Sequence, residues 1–150
     1  MQNRIVLSFL LVLMAMGCGS NGWMARTYPT RGEITVNGKA PENAVVKLVK
    51  IGEQIDTRKS DCWALVQSDG SYVMTTYEPG DGAPEGEYAW SVRWPMNPMT
   101  NMPDRLNEAY ADPENPYMTV TIKRGKNELP KVELKDVELS VPAERIKKSD

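Results

Sequence analysis

The side chains able to do chemistry are few here, and their types restrict what that chemistry could be. Histidine is absent, which removes the commonest general base, the imidazole metal ligand and every Ser-His or Cys-His pairing. Two cysteines remain, Cys18 after an apolar run and Cys62 between Asp61 and Trp63. With no imidazole to take its proton, Cys62 reads as a small buried apolar residue and not as a nucleophile. Asp69 lies in Ser68-Asp69-Gly70, and Asp-Gly between two strands is what a tight turn asks for. Asp81 and Glu85 share the loop Gly80-Asp81-Gly82-Ala83-Pro84-Glu85-Gly86. Two carboxylates with nearby carbonyls could hold a hard cation, but they are few for calcium. Closing the loop by accepting backbone N–H bonds is the plainer role. The loop also lacks the Gly-Lys-Ser/Thr ending of a phosphate loop. No cofactor, no metal and no catalytic residue are expected.

Aromatic residues give the better binding hypothesis. Trp23, Trp63, Trp90 and Trp94 stand with Tyr72, Tyr77, Tyr88, Tyr110 and Tyr117 beside a single Phe, and flat rings on a sheet surface can stack on sugars. Period-two placement assigns Tyr88, Trp90 and Trp94 mostly to a core, with Trp94, next to Pro95 at a strand end, the one expected to be exposed. The residues offered for a ligand surface are therefore Trp94, Tyr77, Asp81 and Glu85. Met96, Met99 and Met102 recur at spacing three, which could present soft thioethers to Cu(I). Pro98 and Pro103 break any helix that would align them, so loop packing is the simpler reading.

The elements that position these groups begin with a leader. Ile5 to Met16 is a run of 12 residues with Ser8 its only polar member. As a helix it spans about 18 Å, short of the ~30 Å hydrocarbon core, and reads as the apolar region of a signal peptide. Met14-Ala15-Met16-Gly17 before Cys18 resembles the bacterial lipobox, in which that Cys is lipidated and becomes the mature N-terminus; Ala15 stands where the lipobox usually has Leu. Ala15-x-Gly17 equally suits the ordinary signal peptidase, which would release a soluble chain cut at the same bond. The lipobox resemblance implies a lipid on Cys18, a membrane partner through that lipid and an envelope location facing periplasm or exterior. It also leaves Cys62 without a disulfide partner, and its acyl chains exceed the two signals a stable anchor needs. Residues 1–17 are thus the expected signal peptide and 18–30 a lipidated tether. The stretch from Gly19 to Pro29 reaches at most about 36 Å when extended. A domain over 31–136 and a C-terminal tail over 137–150, with Lys147 and Lys148, follow.

The chain is 41% apolar and 25% charged, with 18 basic against 20 acidic residues and no block of five like charges. This excludes disorder throughout, collagen and a multi-span membrane protein, and points to no nucleic-acid partner. From residue 31 apolar alternation of period two recurs between turn signals, predicting strands at Gly32–Val36, Ala44–Ile51, Trp63–Gln67, Tyr72–Thr76, Tyr88–Trp94, Met118–Ile122 and Glu128–Leu134. Asn37-Gly38 is the strongest hairpin signal among the turns. Pro95 to Pro116 holds five prolines and has room for a helical turn or two around Asp104 to Tyr110. Seven short strands with turns between them predict an all-β, antiparallel sandwich.

Gly32-Glu-Ile-Thr-Val-Asn-Gly-Lys-Ala-Pro-Glu-Asn-Ala-Val-Val resembles the opening of a carboxypeptidase regulatory-like domain, and Ser68-Asp-Gly-Ser-Tyr-Val-Met-Thr-Thr resembles that family's later turn and strand. Thr76-Tyr-Glu-Pro-Gly-Asp-Gly-Ala-Pro-Glu-Gly-Glu-Tyr, Tyr110-Ala-Asp-Pro-Glu-Asn-Pro and Thr119-to-Leu129 are similar to small planctomycete-type lipoproteins built on that domain. Asn43 stands in place of the family's usual Gly before Ala44, and Ser68-Asp69-Gly70 is two residues tighter than the common form. The resemblance implies a seven-stranded transthyretin-like or prealbumin-like β-sandwich, a regulatory or adhesive accessory module without catalysis. Beside it, the expected function is a structural or protein-binding module whose edge strands or long loop bind another envelope component, the alternative being a carbohydrate-binding module that meets a glycan through exposed aromatics. A hydrolase of transthyretin-like fold would need histidines this chain lacks.

Overall fold

In the computed structural model the described residues are 22–96 and 103–140, and their regular structure is all strand. Among the described residues ten short strands form: β1 (Thr27–Tyr28), β2 (Thr30–Val36), β3 (Val45–Lys50), β4 (Cys62–Leu65), β5 (Ser71–Val73), β6 (Ala83–Pro84), β7 (Gly86–Arg93), β8 (Met118–Ile122), β9 (Asn127–Glu128) and β10 (Val132–Leu134). One four-stranded sheet runs β4-β3-β7-β8, and the other runs β10-β2-β5 with β9 also on β2; β1 and β6 make a small ribbon.

The alternation read from the sequence sets which residues face inward. In β2 Gly32, Ile34 and Val36 are buried while Arg31 and Glu33 point to solvent. Val46 and Leu48 of β3, Tyr88, Trp90 and Val92 of β7, and Val120 and Ile122 of β8 face the same interior from the other sheet. Together with Tyr72, Met74, Val132 and Leu134 they make one apolar cluster between the two layers, the arrangement of a β-sandwich. At its centre the Trp90 indole N–H donates to the Tyr72 hydroxyl (3.1 Å), so neither polar tip is stranded in the core.

Several sequence expectations change in detail. The Glu128–Leu134 strand is broken at Pro130 into β9 and β10, because proline cannot donate to a ladder. Both pieces pair parallel to β2, so the sandwich is not purely antiparallel: leaving β8 the chain crosses to the other layer and runs beside β2 in its own direction. Asn37 and Gly38 do take positive φ (50° and 77°), and Val36 and Lys39 exchange backbone bonds across them. The turn nevertheless does not make a hairpin of β2 with β3; it passes the chain from one sheet to the other. The true hairpin is β4–β5, where Trp63 and Thr75 exchange backbone bonds (3.0 and 2.8 Å) and close that edge between the layers. No helix forms at Asp104–Tyr110. Asn107 and Glu108 both have positive φ, which stops helical propagation after one turn.

The tether boundary also moves. Thr27 and Tyr28 pair with Pro84 and Ala83, so part of the segment expected to swing free is built into the fold.

Candidate functional site

The loop that carries Tyr77, Asp81 and Glu85 packs against the N-terminal segment and the 51–61 loop. Asp81 accepts the backbone N–H of Thr76 (2.8 Å) and of Tyr77 (3.1 Å) through its two carboxylate oxygens, closing the turn. Gly82 has φ 95°, and a Cβ there would lie 1.8 Å from the Tyr28 carbonyl oxygen. Only glycine lets β1 cross at that point. Tyr77 receives a bond from the Ala25 N–H (2.9 Å) and donates its own proton to Asp56 (2.8 Å). The Trp23 ring meets Tyr77 edge-on at 5.5 Å, and the Arg58 guanidinium lies 3.9 Å from the Trp23 ring centre. Burial pushes the Asp56 carboxyl upward, but bonds from Ser60, Tyr77 and the Ser60 and Arg58 amides outweigh it and hold it at about 2. The Tyr77 hydroxyl goes the other way, to about 12, through burial and the neighbouring Asp56 charge, despite the bond from Ala25. We call this arrangement the N-terminal clasp.

Glu85 is turned elsewhere, toward Arg124 (3.0 Å) on the turn after β8. Asp81 and Glu85 therefore serve separate structural bonds, and among the described residues no three acids or thiols gather at a metal-holding distance.

Trp94 is half-buried and engaged on both sides. Its indole N–H donates to the Glu42 carbonyl (3.0 Å), and Arg105 lies 5.0 Å from its ring centre. The exposed ring expected at that strand end is thus partly covered, because the chain after Pro103 folds back on it. Asp104 does this work. Buried at 4% exposure, it accepts the N–H groups of Trp94 (2.6 Å), Leu106 (3.1 Å) and Glu108 (3.1 Å). Nothing in the sequence around Asp104 marked it for this, since its partner Trp94 lies ten residues away.

Among the described residues the exposed aromatic rings are instead Trp63 (40%) and Tyr117 (50%). Trp63 stands on the outer side of β4 in a shallow hollow of about 260 Å³ with Leu65, Gln67, Val73 and Thr75. Strand parity could have found it: Cys62 and Ala64 are inward, which turns Trp63 out.

The other chemistry-bearing groups are structural. Asp69 accepts the Ser71 N–H (2.9 Å) and hydroxyl (2.6 Å) in an Asx turn, and those bonds lower its carboxyl. Cys62 is 1% exposed, and burial pushes its thiol up to about 12. Met96 is half-buried; Met99, Met102 and the expected lipid site Cys18 lie outside the described residues.

No family model and no curated protein matches the chain. Among solved structures it is similar to a DUF3823 family protein from Parabacteroides merdae, at 18% identity and a TM-score of 0.43. The match covers 74% of this chain and 47% of that one, so this chain spans less than half of that protein's length.

Proposed function

We propose that this chain is a non-catalytic accessory domain of a bacterial envelope lipoprotein, built on a transthyretin-like sandwich of the carboxypeptidase regulatory-like kind and held to a membrane by lipid on Cys18. One observation carries the non-catalytic part. Four carboxylates and the described thiol are engaged by the fold itself. Asp56, Asp69, Asp81 and Asp104 each accept backbone N–H groups, and Cys62 is buried as a neutral thiol. The anchor rests on the apolar leader ending at Gly17-Cys18. Intact-mass analysis of the full chain extracted from membranes tests it: a mature chain beginning at Cys18 with added acyl mass is expected, and a chain beginning there without it removes the anchor.

A second reading, a carbohydrate-binding module, is favoured by Trp63, an outward indole beside the amide of Gln67 and the hydroxyl of Thr75. It moves the stacking surface from Trp94 and Tyr77, whose rings are engaged, to β4. Retention on insoluble polysaccharide that disappears in Trp63→Ala supports it; retention unchanged by that substitution removes it.

A further inference from the structure

The two layers leave their edges in different conditions. The β4 edge is closed by the β4–β5 hairpin. The β9–β10 edge carries Pro130 and the charges of Lys131, Glu133 and Lys135, which discourage another strand from pairing there. The β8 edge has neither protection, being the uncharged, β-rich run Met118-Thr119-Val120-Thr121-Ile122.

Backbone parity shows which groups that edge presents. The Ile51 N–H donates to the Glu87 carbonyl, so Glu87, Ala89 and Ser91 of β7 point their backbone groups toward β3. Tyr88, Trp90 and Val92 point the other way, as the bond from Val92 N–H to the Tyr110 carbonyl confirms. Their partners Val120 and Met118 therefore bond to β7, and Thr119 and Thr121 aim N–H and C=O away from the sheet. Among the described residues these four groups have no backbone partner, and both threonines are exposed. Lys123, next in the same row, has its N–H and C=O taken by the Asn127 side chain (2.9 Å each). The open row is therefore two residues long and ends at Lys123.

We infer that β8 is a self-pairing edge whose partner is β8 of a second copy of this chain, joined antiparallel about a two-fold axis at Val120. The sequence is nearly palindromic about that point. Thr119 meets the partner's Thr121 and Thr121 meets the partner's Thr119, giving about four backbone hydrogen bonds from the groups now open. Val120 meets its own copy, and Met118 meets the partner's Ile122. Outer threonines stay with outer threonines and core residues with core residues, so the pairing continues one sheet across both chains without turning any face over. Lys123 falls opposite the partner's Tyr117, so no like charges oppose each other. The near-palindrome selects a second copy of this chain as the occupant over a strand of unrelated sequence. The inference stands whether or not Cys18 carries lipid.

Sedimentation of the full chain in density-matched detergent, followed across concentration, tests it. A one-chain to two-chain transition is expected. Thr121→Pro removes an N–H that has no partner within the chain, so the fold should survive while association weakens about tenfold or more. Thr119→Lys, which places a charge on the edge without touching the ladder, should do the same. Near-ultraviolet circular dichroism of each variant confirms that it is folded. Chains carrying Thr119→Cys and Thr121→Cys, made together with different tags, should form a mixed disulfide in preference to either like pair. One-chain mass at every concentration overturns the inference. So does a two-chain species that persists in both folded variants, or cysteines at these positions that cross-link only to a different protein.

Discussion

Gly32 faces the core where the Tyr72 hydroxyl sits; a Cβ there would lie 2.4 Å from that oxygen. Gly32→Ala should therefore destabilise the domain by about 1–3 kcal/mol, the usual cost of overpacking, read as a lower urea midpoint. Asp104 offers a second single-residue test. Replacing it with Ala leaves the Trp94, Leu106 and Glu108 amides without their acceptor in a buried place, which predicts a loss of about 2–4 kcal/mol in the same measurement. The two residues differ in how well the sequence announced them. Gly32 lies in the strand that opens the resembled domain, and its inward direction follows from Ile34 and Val36 on the same face. Asp104 lies in a proline-rich stretch without periodicity, and although it also caps its own turn at Leu106 and Glu108, its tie to Trp94 is a contact ten residues away. Trp94 departs from its expected exposure for a related reason: strand alternation says where a side chain points, not what later folds over it.

At the scale of elements, the N-terminal clasp joins three segments through Trp23, Ala25, Asp56, Arg58 and Tyr77. Tyr77→Phe removes the hydroxyl that both receives and donates, so it should cost about 1 kcal/mol and hasten proteolysis before Thr27 without unfolding the sheets. Acid should loosen the same place. Asp56 is held at about 2 in the fold against an ordinary 3.8, so its contribution is complete above that ordinary value and fades as pH falls through the native one. The Trp23 emission should shift over that window, and should not do so in Tyr77→Phe to the same extent. Strand positions were largely readable because period two is a local signal, and six of the seven expected strands have direct counterparts. Sheet membership was not. Asn37-Gly38 fixes a tight reversal, but whether the chain beyond it pairs with β2 or passes to the other layer depends on where β3 finds a longer ladder, and it finds that in β4 and β7.

For the whole molecule, the buried hydroxyls and thiol make stability depend on alkali. Burial raises Cys62 from 9.0 to about 12, Tyr72 from 10.0 to about 12, and Tyr88 further still. The folded chain keeps protons that the unfolded chain releases, so stability is full below about pH 9 and declines as pH climbs from there toward 12. Urea midpoints should fall between about pH 8 and about pH 11, and Cys62→Ala should remove the earliest part of that decline. The candidate site was less legible than the architecture. Composition and spacing pointed to Trp94, Tyr77, Asp81 and Glu85, and the fold engages all four internally. Trp63 was open to strand parity, since Cys62 and Ala64 on either side face inward, whereas the β8 edge became visible only once strand neighbours were known.

Because the clasp begins at Trp23, only five peptide steps separate the domain from Cys18, at most about 17 Å of chain. With lipid on that cysteine, the module would ride on the bilayer like a buoy on a short mooring, sweeping a thin slab of space next to the headgroups. Whatever meets it would have to come down to that slab, and two copies confined there would encounter each other by lateral diffusion far more often than the same number dispersed through a compartment.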